Sequence, residues 1–258
     1  MKFSVITVSY NAGNVIEKTI LSIINQTYKE MEYVVVDGGS IDGTKDVIKK
    51  YDTKISKWIS EPDNGIYEAM NKGVKMSSGE YCIFMNAGDS FVNQYVLQKV
   101  SNLINENADV IVGNEISVRN GRICNFIRPP KKVSAEFLVQ SSLRHQASLI
   151  KRDLLIENPY DENLRLASDW KFSIEMLVLK PHFYQRINVN MCFFDTGGRT
   201  FTNLDDGRKE RKEVIQHLLP EYSNYKSNIT FVHRITKFII KWLMVLLLSI
   251  KFMFLKFF

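Results

Sequence analysis

The sequence contains few cysteines and no motif that would pair them. Cys82, Cys124 and Cys192 are odd in number and far apart, and no C-x-x-C spacing occurs. This argues against a disulfide framework and against a zinc site, and it is typical of a protein in a reducing compartment. The N-terminus also lacks the charged region, the long apolar run and the cleavage site of a signal peptide. We therefore expect the folded domain to stay in the cytoplasm.

An excess of basic residues is absent from most of the chain. The formal net charge is +6, but a C-terminal stretch without acidic residues holds five of the cations, Arg234, Lys237, Lys241, Lys251 and Lys256. The rest of the chain therefore carries a net charge of about +1. Because a nucleic-acid-binding face needs clustered basic residues, we predict no nucleic-acid partner.

The 258 residues suffice for one sizeable domain but not for two ordinary ones. Short β-rich runs at 2–8, 31–37, 55–60 and 81–85 alternate with helical patterns, which predicts a parallel sheet with right-handed crossovers. Asn14 and Glu17 resemble a capping box at the start of the first helix. Further elements are predicted as helices at 66–76, 93–107 and from Ser168, strands at 110–115 and 147–151, a hairpin through 122–127, and a strand pair around 183–194.

Polar residues follow each of the first four predicted strands. They occur at 7–11, 37–40, 61–65 and 86–89. In an open α/β sheet, ligands bind beyond the carboxyl ends of the strands, so these segments are expected to face one crevice. The loop after the first strand contains no G-x-G-x-x-G, which disfavours a Rossmann dehydrogenase.

Three of these segments contain candidate ligand residues. Asp37, followed by two glycines, could accept the ring N–H of a nucleotide base, although Asp37 and Ser40 could equally cap the next helix. Asp89 is the candidate ligand for Mg²⁺ or Mn²⁺ beside a diphosphate, or else a simple turn residue. Lys72 could reach a phosphate, although a lone lysine is more often solvated.

Two further residues suggest chemistry later in the chain. Asp169 could remove a proton from an acceptor hydroxyl, although Ser168 and Asp169 also form an ordinary helix start. His145 could bind a metal or a phosphate, although an isolated histidine is usually structural.

Six segments together resemble the family 2 inverting glycosyltransferases. They are VITVSYN, DGGSIDGT, EPDNGIYEAMNKGVKMSSGEY, FMNAGDSF, HQASLIKR and ASDWKF, and their order and spacing match the family over about residues 1–200. The resemblance implies an α/β GT-A (Rossmann-like) fold with a mainly parallel sheet flanked by helices. It divides the chain into a GT-A domain at 1–225, with a nucleotide-sugar-binding half at 1–115 and an acceptor-binding half at 116–225, and a tail at 226–258.

The resemblance also implies roles for individual residues. It assigns Asp169 as the catalytic base and Asp89 as the metal ligand, with His145 beside the metal or the diphosphate. Asn86-Ala87-Gly88-Asp89 keeps only the last carboxylate of the family's usual Asp-x-Asp-Asp, so Asn86 is expected to assist Asp89 with Mg²⁺ or Mn²⁺. The segment 194–199 is expected to close over the diphosphate or the acceptor. The implied donor-site residues are Thr7, Ser9, Asn11, Asp37, Asp63, Asn71, Lys72, Asn86 and Arg199.

The implied function is transfer of a sugar from a nucleotide-diphosphate sugar, expected to be a UDP-sugar, to a lipid-linked or glycan acceptor. The expected setting is the synthesis of capsule, O-antigen or exopolysaccharide. The alternative is a catalytically silent nucleotide-sugar-binding or scaffold protein, because the metal motif keeps only one of its usual carboxylates.

The tail is apolar but interrupted by lysines. On a helical wheel, Lys237, Lys241, Lys251 and Lys256 fall within an arc of about 140°, which predicts an amphipathic helix lying on an anionic membrane surface. We therefore expect a peripheral protein at the cytoplasmic face of the cell membrane. The apolar core of the tail, 242–250, is short for a membrane span. The alternative to membrane binding is that this segment forms a buried helix or a contact in a homo-oligomer.

Overall fold

The computed structural model describes residues 1–196 and 204–223. Predictions for Arg199 and for the tail at 226–258 lie outside these residues, and the division of the domain at residue 115 stays a prediction. Among the helices in the described ranges, none combines the length and the apolar character needed to cross a membrane.

The first half of the chain alternates strands and helices. The elements are β1 (Phe3–Ser9), α1 (Ile16–Ile24), β2 (Met31–Asp37), α2 (Thr44–Lys50), β3 (Lys57–Ser60), α3 (Ile66–Met76), β4 (Tyr81–Phe84), β5 (Ser90–Phe91) and α4 (Val96–Ser101). The predicted strands and the helix at 66–76 are confirmed. The first helix begins at Ile16 without a side-chain cap, so the capping box is wrong. Glu17 instead accepts hydrogen bonds from Lys50 and Tyr51. The fourth helix is shorter than expected.

The second half is less regular. Its elements are β6 (Val110–Arg119), β7 (Arg122–Ile127), α5 (Ala135–Gln140), β8 (Ser148–Lys151), α6 (Arg152–Glu157), α7 (Ser168–Ile174), β9 (Tyr184–Asp195) and α8 (Leu204–Leu218). The hairpin of β6 and β7 and the helix from Ser168 are confirmed. The strand pair predicted around 183–194 is one long strand, β9, which lies parallel to β6 with two register shifts.

One sheet joins both halves in the order β3-β2-β1-β4-β8-β6-β9-β5, with β7 paired to β6. The first four strands of this order are parallel, as predicted. Beyond β4 the sheet is mixed, because β8 runs antiparallel to both β4 and β6. The expectation of a mainly parallel sheet is therefore wrong for the second half, and the fold is mixed α/β.

The reversed direction of β8 has a consequence for the position of His145. Cys82 of β4 pairs with Ile150 of β8, and continuing this antiparallel register brings the residues after β4 opposite those before β8. His145 begins the 3₁₀ turn before β8, and it lies beside Asn86. A parallel strand would have placed this turn at the opposite edge of the sheet.

The sheet is buried on both faces. Ile6 and Val8 of β1 belong to one apolar cluster, which includes residues of α3 and α7. Phe3 and Val5 belong to the other, with residues of α1 and α4, as expected from the alternation of side chains along a strand. Gly73 of α3 lies so close to Ile6 that an added methyl group would clash. This close approach fixes α3 against β1, and Tyr67 lies in the first turn of α3.

Candidate active site

An open cleft of about 1130 Å³ lies at the carboxyl edge of the parallel strands. Its walls come from the ends of β1 and β4, the loop before α3, the turn before β8, the start of α7 and the exposed side of α8. Among the predicted residues, the structure places six along this cleft: Ser9, Asp63, Asn86, Asp89, His145 and Asp169.

A chain of hydrogen bonds crosses the centre of the cleft. Asp169 accepts from the Tyr67 hydroxyl at 2.8 Å, and its other carboxylate oxygen lies 2.9 Å from Nδ1 of His145. Nε2 of His145 lies 3.2 Å from Nδ2 of Asn86. Nδ1 donates to Asp169 whether the imidazole is neutral or protonated, and in the neutral form Nε2 can accept from Nδ2 of Asn86. The chain holds Asp169 in one orientation and links it to the loop after β4.

The ionisation of Asp169 and His145 is coupled. Burial would raise the pKa of Asp169, but the hydrogen bond and the charge of His145, together with the Tyr67 hydroxyl, lower it overall. Burial would lower the pKa of His145, but Asp169, Asp89 and Glu115 raise it overall. Asp169 is therefore a carboxylate at neutral pH, as a group that accepts a proton must be.

Asp89 is a buried carboxylate a short distance along the same cleft. Burial raises its pKa to about 7, although the charge of His145 opposes this shift. Its Oδ1 accepts from the backbone N–H of Asp195 at 3.2 Å. Nearby, Oδ1 of Asn86 is buried without a hydrogen-bond partner. A buried carboxylate and an unpaired amide oxygen are both hard oxygen donors.

These two oxygens fit the requirements of a divalent cation in part. In the described ranges, no three His, Cys, Asp or Glu side chains cluster as a complete metal site. Mg²⁺ is commonly held by one or two carboxylates plus phosphate oxygens of the substrate, so a complete protein cage is not required. Both ring nitrogens of His145 already have protein partners, so Asp89 and Asn86 are the better ligands.

Asp37 does not line the cleft. It is fully buried and accepts hydrogen bonds from Ser9, from Ser60 and from both the hydroxyl and the backbone N–H of Ser40. These bonds are structural, but the predicted alternative that Asp37 and Ser40 cap the next helix is wrong, because α2 begins at Thr44 after Gly43 and has no side-chain cap. Asp37 thus connects β2 to Ser9, which does line the cleft, and its contact with a nucleotide base stays a prediction.

Four other predicted donor-site residues have structural partners away from the cleft. Thr7 donates to the carbonyl of Met85, and Asn11 accepts from the N–H of Ile41. Asn71 bonds the backbone of Tyr160 through both amide atoms. Lys72 lies 2.9 Å from both Glu61 and Glu68. Their roles in donor binding stay predictions.

The sequence reasoning missed several residues of the cleft. Tyr67 stands in the predicted helix 66–76, but helical periodicity marks it as a core residue. Arg144 and Arg211 have no motif of their own. Arg144 and Arg211 face the cleft only because the turn before β8 and helix α8 pack around Asp169.

The proposed cation ligand can be tested by thermal unfolding. We expect Mn²⁺ added together with UDP to raise the Tm of the wild type more than UDP alone does, because a ligand that binds only the folded state stabilises it. Asp89→Asn removes the carboxylate charge and is expected to abolish the additional increment. Asp153→Asn changes a carboxylate that is 90% exposed and should behave as the wild type. An unchanged Mn²⁺ increment in Asp89→Asn would exclude Asp89 as the ligand.

Comparisons with known proteins identify the family of this chain. The Glycosyl transferase family 2 profile matches residues 4–132. A PGL/p-HBAD biosynthesis glycosyltransferase of Mycobacterium bovis is 31% identical over 178 residues, which are 67% of this chain and 68% of the relative.

Two solved structures share the fold. TarS 1-349 of S. aureus in complex with UDP has a TM-score of 0.65 and 21% identity, and the match covers 89% of this chain and 74% of that TarS fragment. Mannosyltransferase PcManGT of Pyrobaculum calidifontis, in complex with GDP-Man and Mn²⁺, has a TM-score of 0.64 and 17% identity, over 84% of this chain and 62% of PcManGT. The chain belongs to glycosyl transferase family 2 and is a glycosyltransferase with a GT-A fold.

Proposed function

We propose that the protein transfers a sugar, with inversion, from a nucleotide-diphosphate sugar to a lipid-linked or glycan acceptor of a cell-surface polysaccharide. The observation that carries this proposal is the Asp169 carboxylate, which faces the cleft and is held by His145 and Tyr67. The UDP complex of TarS supports a UDP-sugar as the first donor to try, and the mycobacterial relative, a PGL/p-HBAD biosynthesis glycosyltransferase, supports a biosynthetic role.

Asp169 supplies the base in this reaction. The acceptor hydroxyl attacks the anomeric carbon from the face opposite the diphosphate, and Asp169 takes the hydroxyl proton as the new glycosidic bond forms. The bond from the anomeric carbon to the diphosphate oxygen breaks, and the nucleoside diphosphate leaves with that electron pair. A carboxylate has about four lone-pair sites, so Asp169 can accept this proton while it keeps both of its present hydrogen bonds.

Asp89 and Asn86 act on the leaving diphosphate, at the other end of the cleft. Their oxygens would hold Mg²⁺ or Mn²⁺, which offsets the charge of the leaving diphosphate. The Asn86–His145 contact connects this end of the cleft to Asp169. The distance between Asp169 and the proposed cation ligands therefore depends on His145, which contacts both Asp169 and Asn86.

Asp169→Asn tests whether the protein catalyses transfer or only binds donor. We expect release of nucleoside diphosphate with acceptor to fall by about 100-fold or more, because the amide cannot accept the proton. The KM for the donor should change little, because Asp169 lies on the acceptor side. The measurement is a nucleoside diphosphate release assay over a panel of UDP-, GDP- and TDP-sugars with Mn²⁺.

Tyr67→Phe provides a matched variant for this test. It keeps the carboxylate but removes one of the bonds that lower the pKa of Asp169. Since the pKa of Asp169 then rises, the acidic limb of the pH–rate profile should move to higher pH. The rate of the variant should fall less below the wild-type rate at high pH, where Asp169 is deprotonated in both proteins. A wild type that binds donor without turnover, or an Asp169→Asn variant of full activity, would contradict the proposal.

We also propose that the C-terminal tail places the enzyme at the cytoplasmic face of the cell membrane. The proposal rests on the sequence, because the tail combines an apolar composition with lysines and no acidic residue. Removal of residues 231–258 is expected to shift the protein from vesicles containing anionic lipid to the soluble fraction. A truncated protein that still pellets with these vesicles, without aggregating, would exclude the tail as the anchor.

A further inference from the structure

Arg211 occupies an unusual position in the wall of the cleft. It lies on α8 and is half-buried, and its guanidinium carbon lies 4.9 Å from the ring centroid of Trp170. Trp170 is itself buried and follows Asp169 in α7. The stacking therefore places the positive charge of Arg211 next to the proposed base.

Arg211 has no hydrogen bond and no ion pair with any residue in the described ranges. Neighbouring basic residues of α8 differ, because Arg208 lies 2.8 Å from Asp205 and Lys209 lies 3.8 Å from Asp206. Burial lowers the pKa of the Arg211 guanidinium. A charge that loses water without gaining a hydrogen-bonded partner costs free energy, and an anion that enters the cleft would offset this cost.

Arg144 is a second cation in the same wall. Its closest carboxylate, Glu115, lies 3.8 Å from Nε, and this nitrogen is buried without a hydrogen-bond partner. The charge of Arg144 also acts on Arg211 and contributes to its lowered pKa. The carboxylate beside Arg211, Asp169, already accepts from His145 and Tyr67. Arg211 thus has donors available beside Asp169, and Arg144 adds a second positive charge to the wall of the cleft.

We infer that Arg211, together with Arg144, binds a phosphate group of the acceptor. A guanidinium over an aromatic face keeps N–H donors for other partners, and its planar fork can bind two phosphate oxygens. This inference rests on the proposed function, in which Asp169 takes the proton of the acceptor and the donor diphosphate lies at the Asp89 end. The substrate class is then an acceptor sugar joined to its carrier through a phosphate ester or a phosphodiester.

Binding of octyl phosphate tests this site without turnover. Calorimetry with the full chain, in the presence of saturating UDP and Mn²⁺, should give a Kd for octyl phosphate that is about tenfold or more weaker in Arg211→Gln than in the wild type. Arg208→Gln removes a cation from the same helix that already has a partner, and it should bind as the wild type does. Equal affinity in the wild type and in Arg211→Gln would overturn the inference.

A second arm separates the acceptor phosphate from the donor diphosphate. The affinity for UDP and Mn²⁺ should be the same in Arg211→Gln and in the wild type. If UDP affinity falls as far as octyl phosphate affinity does, Arg211 binds the donor and the inference is wrong.

A third arm uses a matched pair of acceptors, an octyl glycoside and the same sugar joined to octanol through a phosphodiester. We expect the wild type to prefer the phosphodiester by about tenfold in KM, and Arg211→Gln to lose this preference. An equal loss with both acceptors would show that Arg211 acts on Asp169 instead. Octyl phosphate binding without any transfer by the wild type would refute the proposed function and leave the anion site intact.

Discussion

The hydrogen bonds that hold Asp169 connect α7 to α3 and to the turn before β8. Tyr67 reaches it from α3, which is fixed against β1 by the close approach at Gly73. His145 reaches it from the turn before β8, which the antiparallel register with β4 brings to the carboxyl edge. A carboxylate that is buried and charged needs such partners, because an isolated one would take up a proton. The packing of the domain and the ionisation of its proposed base are therefore linked.

The two ends of the cleft differ in how their charges are balanced. At one end, Asp169 is stabilised as an anion by His145 and Tyr67 within the protein. At the other, burial raises the pKa of Asp89 to about 7, and Oδ1 of Asn86 has no partner. A site whose base is satisfied, and in which one proposed cation ligand, Asn86, has an unpaired oxygen, is arranged to gain electrostatic stabilisation when substrate and metal bind. Arg211, which lies near Asp169 without a hydrogen-bonded partner in the described residues, extends the same argument to the acceptor.

Much of the first half could be predicted from the sequence, because alternating β-rich and helical patterns are local and their polar ends meet at one edge of a parallel sheet. That rule found Ser9, Asp63 and Asp89. It failed for Asp37, because the serines that surround this carboxylate come together only in the folded chain. It also missed Tyr67 and Arg211, since apolar periodicity cannot identify a hydroxyl bonded to a distant Asp or a guanidinium stacked on Trp170. The reversal of β8 depends on pairing between segments far apart in the chain.

The central claim is that one carboxylate, Asp169, serves a single displacement at the anomeric carbon. The configuration of the product tests this most directly. NMR of the glycoside formed from a donor of known anomeric configuration should show the opposite configuration, because the acceptor attacks from the face opposite the diphosphate. A product that retains the configuration of the donor would contradict the account.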